Sequence, residues 1–306
     1  MAATAIHHDP TRRHDFVLLF DVTDGNPNGD PDGGNQPRTD PETLQGLVSD
    51  VSLKRKVRDY VDAARGREGR FKIYVSGSEA LNSSHKRAYD DLGIKSTGVK
   101  QATADVARAQ AWMADNFFDI RMFGAVMSTS VNAGQVRGPV QLTFARSVEP
   151  VMALDLSITR KAVTREEDRT VAVGDEGSGT SGKQTEMGRK SLVPYGLYRA
   201  HGFFNPHFAH QTGADAEDLA LLWQALQGMF DVDRSASRGM MAMQGIWVFS
   251  HESPLGNAPA HKLFEQVRVT PAHDGRAPRS FHDYVVKVVG DAPSGVTLTR
   301  IIEPGA

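Results

Sequence analysis

The chain has 306 residues, 40% hydrophobic and 24% charged, enough for one large domain or two modest ones and unlike a disordered or fibrous protein. It contains no cysteine, which excludes disulfide scaffolds, zinc ribbons, CxxC redox sites and cysteine nucleophiles, and suits a reducing cytoplasm. Net charge is −2, from 35 Lys/Arg against 37 Asp/Glu, so no overall charge announces a nucleic-acid binder; the charge is segregated locally instead.

The first thirteen residues are polar and expected to be loose. No apolar run reaches the ~7–15 residues of a secretory core or the ~20 of a membrane span, so neither is expected. His14 to Val22 is mostly apolar and predicts a strand at the centre of a sheet. Thr23 to Thr43, dense in Gly, Pro, Asn and Asp, reads as a long loop, where five acids stand against Arg38 alone. The spacing then predicts a helix over 50–64. Leu53, Val57, Tyr60, Val61 and Ala64 fall in one stripe, Arg55 and Arg58 opposite it, and Lys54 and Lys56 on its flanks. Phe71 to Val75 reads as a second short strand.

From Ser76 to about Ser191 the pattern is irregular, with a helix expected over 101–118 and strands near 140–145 and 151–158. The stretch 160–190 carries seven basic and six acidic residues around a Gly/Ser/Thr centre at 177–182, the composition of a long projecting hairpin with a flexible tip. Leu192 to Arg199 predicts a strand. Asp215 is placed to cap a helix whose Leu219, Leu222, Trp223, Leu226, Met229 and Phe230 share one face. Gln244–Ser250, Tyr284–Val289 and Val296–Ile302 read as strands. With the insertion set aside the order is β-α-β … β-α-β, the ferredoxin-like (split βαβ) plan of an α+β protein.

Several motifs invite chemistry. Asp24 to Asn35 nearly matches the calcium loop D-x-N-x-N-G, with Gly29 at position six. Asn35 stands where a bidentate Glu belongs, Pro31 lacks an N–H at position eight, and a strand precedes the loop, so calcium is not the favoured reading. Asp30 and Asp32 beside a basic helix leave a metal-dependent ribonuclease as the alternative function. Gly177 to Lys183 resembles a phosphate-binding loop until Gln184, and Gly188 and Pro194 prevent the helix it needs. His207 and His210, with His201 nearby, lack an acidic partner at ligand spacing. Arg121 to Val126 lacks two residues of the RNA-recognition signature. The basic helix is the better signal. Lys54, Arg55, Lys56 and Arg58 crowd its first half, where the dipole disfavours each cation by roughly a few tenths of a kcal/mol. Stability alone would not choose that placement. Phosphate binding would, against the default of a solvated charged face.

Together these stretches resemble one family. They are Phe16–Val22 running into Gly25-Asn26-Pro27-Asn28-Gly29-Asp30-Pro31, then Asp40-Pro41-Glu42-Thr43, Val48–Val51 and Leu53–Arg58. Further on come Gly138-Pro139-Val140-Gln141, Met187-Gly188-Arg189-Lys190, Val193–Tyr198 and Asp233–Gly239. The pattern is similar to that of the Cas-seven backbone subunit (Csd-two type) of the type I-C CRISPR Cascade complex, over about 14–269. The resemblance implies a hand-shaped protein with a ferredoxin-like (RRM-like) palm over 14–75 and 192–302, an inserted finger or helical region over 76–159, and a hairpin thumb over 160–191. Copies of such a subunit stack head to tail along a guide RNA (crRNA), leaving its base edges to pair with a target DNA strand. Other Cascade subunits, namely the crRNA-processing, large and small subunits, are the further partners. On this resemblance Asn26, Asn28, Arg38, Lys54, Arg55, Lys56 and Arg58 are expected at the RNA, Arg189, Lys190, Arg234 and Arg238 at the RNA or the adjacent copy, and Met187 as a wedge at a displaced base. Related subunits of type III complexes cut RNA with an Asp in a comparable loop. The type I-C branch leaves cleavage to a separate helicase-nuclease, so neither nuclease activity nor a cofactor is expected.

Overall fold

The computed structural model describes residues 5–160, 186–273 and 275–303. The first half runs β1 (His14–Gly25), a small hairpin of β2 (Gly29–Asp30) and β3 (Gln36–Pro37), β4 (Gln45–Val48) and α1 (Asp50–Arg65). It continues through α2 (Leu81–Asp91), α3 (Thr103–Asn116), α4 (Phe118–Phe123), β5 (Gly124–Ser128), β6 (Asn132–Arg137), β7 (Val140–Leu142), β8 (Ala145–Pro150) and β9 (Leu154–Arg160). The second half is β10 (Glu186–Phe204), α5 (Pro206–Thr212), α6 (Ala216–Val232), β11 (Met240–His251), α7 (Ala260–Phe264), β12 (Val267–Pro271), β13 (Tyr284–Val288) and β14 (Val296–Ile302).

β1 is the spine. It pairs antiparallel with β10 on one side and β11 on the other, inside an eight-stranded sheet of order β14-β11-β1-β10-β8-β4, with β7 and β9 also on β10. Successive side chains alternate between faces. Phe16, Leu18, Phe20 and Val22 enter the core beneath α1 and α6, and Val17 and Leu19 enter a second core with Trp247, Phe249 and Leu263. Both faces are covered, which is why the run is apolar throughout rather than alternating. α6 starts where expected: Asp215 accepts from the Glu217 and Asp218 N–H groups at 2.9 and 3.0 Å, and Asp218 answers from the Asp215 N–H at 3.1 Å. Its predicted apolar face is wholly buried.

Phe71–Val75 is a correction. It is not a strand; only Lys72 bridges, to Phe117. Phe71, Ile73 and Tyr74 are buried all the same, and the Tyr74 and Val75 N–H groups donate to the Asp119 carboxylate at 2.8 and 3.0 Å. A side chain replaces the ladder as acceptor. The strand that stands beside β10 is β8, joined by β7, so segment 140–150 belongs to the large sheet. The helix expected over 101–118 is two helices, α3 and α4, divided at Phe117, whose backbone is extended. Leu192–Arg199 is the inner part of a 19-residue strand, β10, whose first residues pair with β9. The Gly/Ser/Thr segment at 177–182 lies outside the described residues. Among those described, no helix is long and apolar enough to cross a membrane.

The segment between α1 and β7 has its own core of Tyr74, Tyr89, Met113, Phe117, Ile120 and Met127. α4 ties it to the rest through charge. Arg58 of α1 donates to Asp119 at 2.8 Å, and Arg121 donates to both oxygens of Asp218 on α6 at 2.8 and 2.7 Å. Arg121 and Asp218 are 1% and 0% exposed. Burial pushes the Asp218 carboxyl up, but Arg121 and Arg70 outweigh it and hold it below its ordinary value. Asp218→Asn strands a buried guanidinium and is expected to destabilise the fold by about 3–5 kcal/mol in urea titration. Because the folded carboxyl is depressed, its contribution is present above pH ~4 and is lost as pH falls through the folded value. The stability difference between the two proteins should therefore shrink in acid.

Candidate nucleic-acid interface

The loop after β1 is fastened to the turn after α6. The Asn26 N–H donates to the Ser237 carbonyl at 2.8 Å, and Arg238 Nη1 donates to the Asn26 and Pro27 carbonyls at 3.3 and 3.4 Å. Gly25 and Gly239 make the crossing possible. A Cβ on Gly25 would overlap the Arg238 carbonyl, and Gly239, at φ +62°, lies against the Thr23 and Asp24 backbone. Asn28 is built in too: its Oδ1 accepts from the Ser49 N–H at 2.9 Å, next to the α1 N-terminus.

Across from this loop runs the ribbon formed by β9 and the start of β10. Met187, Arg189 and Ser191 share one face with Thr159, Ser157 and Asp155, while Leu154, Leu156 and Ile158 lie on the other beside Gly188 and Lys190. Gln36 Nε2 reaches Asp155 at 3.1 Å and ties the loop to the ribbon. Between them lies a cleft of about 470 Å³, lined by Asn26, Gly33–Gln36, Asp155, Arg189, Lys190, Ser191 and Ser237. Asn26 is 3% exposed; its Nδ2 donates to the Asn35 carbonyl at 2.7 Å, while its Oδ1 has no partner.

The sequence model of the family described as CRISPR-associated protein Cas7 matches residues 12–289. The chain belongs to that family. A CRISPR-associated protein Cas7 of Haloferax volcanii is 28% identical over 237 residues, which is 70% of this chain and 64% of the relative, so the chain spans under two thirds of the relative's length. Two solved chains are similar at lower identity. One, from a structure titled "CRISPR RNA-guided surveillance complex, pre-nicking", is 14% identical with TM-score 0.48, covering 81% of this chain and 79% of the other. The second, titled "CRISPR RNA-guided surveillance complex", is 16% identical with TM-score 0.45, covering 81% and 71%.

In this Cas7-family chain the expected basic residues divide. The placement of Arg58 opposite the apolar stripe of α1 and of Lys56 on its flank, open to phosphate, is corrected. Lys56 is 2% exposed and ion-paired with Asp233, and Arg58 is buried on Asp119. The reason is that the segment after α1 and the end of α6 cover the side of the helix the periodicity left to water. Lys54 is half-buried beside Asp50 at 3.0 Å, and Arg55 is exposed beside Asp59 at 2.8 Å. Arg38 is half-buried and sits 3.4 Å from Asp30. Arg234 is exposed against Asp231 at 2.5 Å, and Arg238 shares Asp233 with Lys56, at 3.3 Å. Met187 is 76% exposed. The cleft thus gathers Asn26, Arg189 and Lys190, with Arg238 behind the loop and Arg55 and Arg234 outside it. Gln36, Asp155, Ser191 and Ser237 were not anticipated; the turn ending in Gly239 was a signal for Ser237 alone.

The calcium-like loop does not adopt that form: Gly29 and Asp30 pair with Gln36 and Pro37 in a hairpin. Asp30 accepts from the Asp32 N–H at 3.3 Å and faces Arg38. Among the described residues no three His, Asp or Glu side chains come together as a metal site, and His201, His207 and His210 do not cluster. Arg121 of the signature-like stretch is spent on Asp218.

Asp233 is the hinge of the basic set. Burial lowers Lys56 below its ordinary value, with Asp233 opposing. Asp233→Asn is expected to cost about 2–3 kcal/mol, because a buried ammonium loses its charged acceptor. Arg55→Ala should change stability by under about 0.5 kcal/mol. Chemical denaturation of the two variants checks the contrast, and equal effects would contradict the division.

Proposed function

We propose that this chain is the guide-RNA-binding backbone subunit of a type I-C CRISPR surveillance complex, and that it is non-catalytic. Family membership and the cleft between the Asn26–Gln36 loop and the ribbon carry the reading. A cleft lined by the cations Arg189 and Lys190 of the ribbon and by the backbone and small side chains of the loop suits a sugar-phosphate strand better than a base edge. In this reading the large sheet with α1 and α6 is the palm, the segment with its own core is the finger region, and the ribbon is the base of the thumb. Arg189 and Lys190 meet phosphates in the cleft, and Arg38, Lys54, Arg55, Arg234 and Arg238 lie outside its lining, where they extend the track. Asn26 and Asn28 fix the loop. Lys56 and Arg58 shape the palm rather than touch RNA, since a buried ion pair cannot be spent twice. Met187, apolar and projecting on the same face as Arg189, is the wedge at a displaced base.

Copies arranged head to tail make an open filament whose length the RNA sets. Each copy need bind only weakly, because the strand joins them. The guide's free edges then pair with target DNA while the crRNA-processing, large and small subunits complete the particle.

The experiment is to purify the chain with its neighbouring subunits and a CRISPR array, then size and sequence the RNA that accompanies it. One spacer flanked by repeat fragments is the expected product. Arg189→Ala with Lys190→Ala should lower RNA affinity and reduce the slope of log K against log salt by about 0.7 for each lost phosphate contact. An unchanged slope would remove the cleft from the interface. Divalent-dependent RNA cleavage abolished by Asp30→Ala would instead establish the ribonuclease alternative.

A further inference from the structure

On the sheet face away from α1 and α6, β10 carries a cation of a different kind. Arg199 is half-buried, and among the described residues no carboxylate pairs with it. Its Nε donates to His201 Nε2 at 3.1 Å, Nη1 to the Val267 carbonyl at 2.8 Å, and Nη2 to the Phe264 carbonyl. A guanidinium has five N–H donors, so two remain undonated. His201 stacks on Phe264 at 4.3 Å, and because it accepts at Nε2 its proton sits on Nδ1 as another donor. Burial, then the Arg199 charge, holds His201 at about 4, so the ring stays neutral and adds no second charge. Thr143 Oγ1 accepts from the His201 N–H at 3.0 Å, which leaves its own hydrogen to give.

Arg199, His201 and Thr143 open onto a cavity of about 400 Å³ whose rim includes Phe144, Val148 and Val269. Arg146, also at the rim, already faces Asp40 at 2.7 Å. Phe144 is 53% exposed, a large aromatic with nothing over it. Ten residues of β10 separate Arg199 from Arg189, or about 30 Å of strand, so this is a separate place from the cleft.

We propose that this cavity is a docking site for an acidic protein segment, one Asp or Glu carboxylate entering against Arg199 while an adjacent apolar side chain covers Phe144. A half-buried guanidinium without a counter-ion is completed by an anion, and its planar fork matches a carboxylate. A polynucleotide would need cations repeating along a track. Here one uncompensated charge stands beside the apolar Phe144, Val148 and Val269, in a lining that also carries Gln45 and Ser147, which favours a single acidic side chain on a protein.

The test follows the His201 ring nitrogens by NMR in the full chain. The probes are the blocked dipeptide acetyl-Leu-Glu-amide, its Leu-Gln counterpart and dimethyl phosphate. The glutamate probe should shift the ring signals saturably, in roughly the millimolar range. The glutamine probe should bind at least about tenfold more weakly, the loss expected with a charge-assisted bond, and the phosphate should bind more weakly because it carries no apolar side chain to cover Phe144. Arg199→Gln should abolish the response. Since Arg199 also holds two carbonyls, Phe144→Ala serves as the second variant; it breaks no hydrogen bond and should weaken binding several-fold with the rest of the spectrum unchanged. No response to the glutamate probe overturns the proposal. So does equal or tighter binding of dimethyl phosphate, which would mark a nucleic-acid contact, and so does an unaltered affinity in Phe144→Ala.

Discussion

Two ion pairs on a six-residue helix hold this fold together. Asp119 and Arg121 sit on α4, two residues apart, and reach in different directions: Asp119 to Arg58 of α1, Arg121 to Asp218 of α6. Such pairs are poor sources of net stability against an apolar alternative, because both charges must leave water. Their value here is geometric. Apolar surfaces slide past one another at little cost, whereas a bidentate guanidinium-carboxylate contact fixes distance and angle. Asp119 also takes the Tyr74 and Val75 N–H groups, so one carboxylate sets the exit of the chain from α1 and the seating of the second core. Asp218 closes the N-terminus of α6 through its capping bond, so another joins helix start, Arg70 and Arg121 at one point.

The same economy shapes the interface. Lys56 and Arg238 converge on Asp233, the residue that ends α6, and Arg238 continues to the carbonyls of the Asn26 loop. The loop, the turn and α1 are therefore tied together through Asp233, and the cleft inherits its wall from these charge contacts as well as from the loop's own few side chains. Gly25 and Gly239 complete the arrangement by letting two backbones touch.

What the sequence made legible follows from what periodicity can see. β1, α1, α6, β11 and β14 were readable because their apolar spacing is dictated by a sheet face or a helix stripe, and Asp215 announced its helix by cap chemistry. Phe71–Val75 misled because burial, not pairing, makes those residues apolar; the acceptor that replaces the ladder lies at Asp119, more than forty positions later. Lys56 and Arg58 misled for a related reason. A helical wheel assigns cations to water unless a counter-charge is known, and Asp233 and Asp119 are distant in sequence. The cleft was half legible: the Asn-Gly-Asp loop and the Arg189–Lys190 pair were visible, while their meeting through Gln36 and Asp155 depends on strand register between β9 and β10.

β10 is also a mechanical part. Nineteen residues of extended chain span about 60 Å, from the ribbon through the centre of the sheet to Phe204. Its hydrogen bonds to β1 lie across the strand axis, in a register that runs from Gly25 with Val193 to His14 with Phe204. Tension applied to the ribbon along that axis loads the whole ladder at once, in shear, whereas a sideways pull would open it one rung at a time. The ribbon is thus an anchored cantilever, stiff along its length and compliant across it.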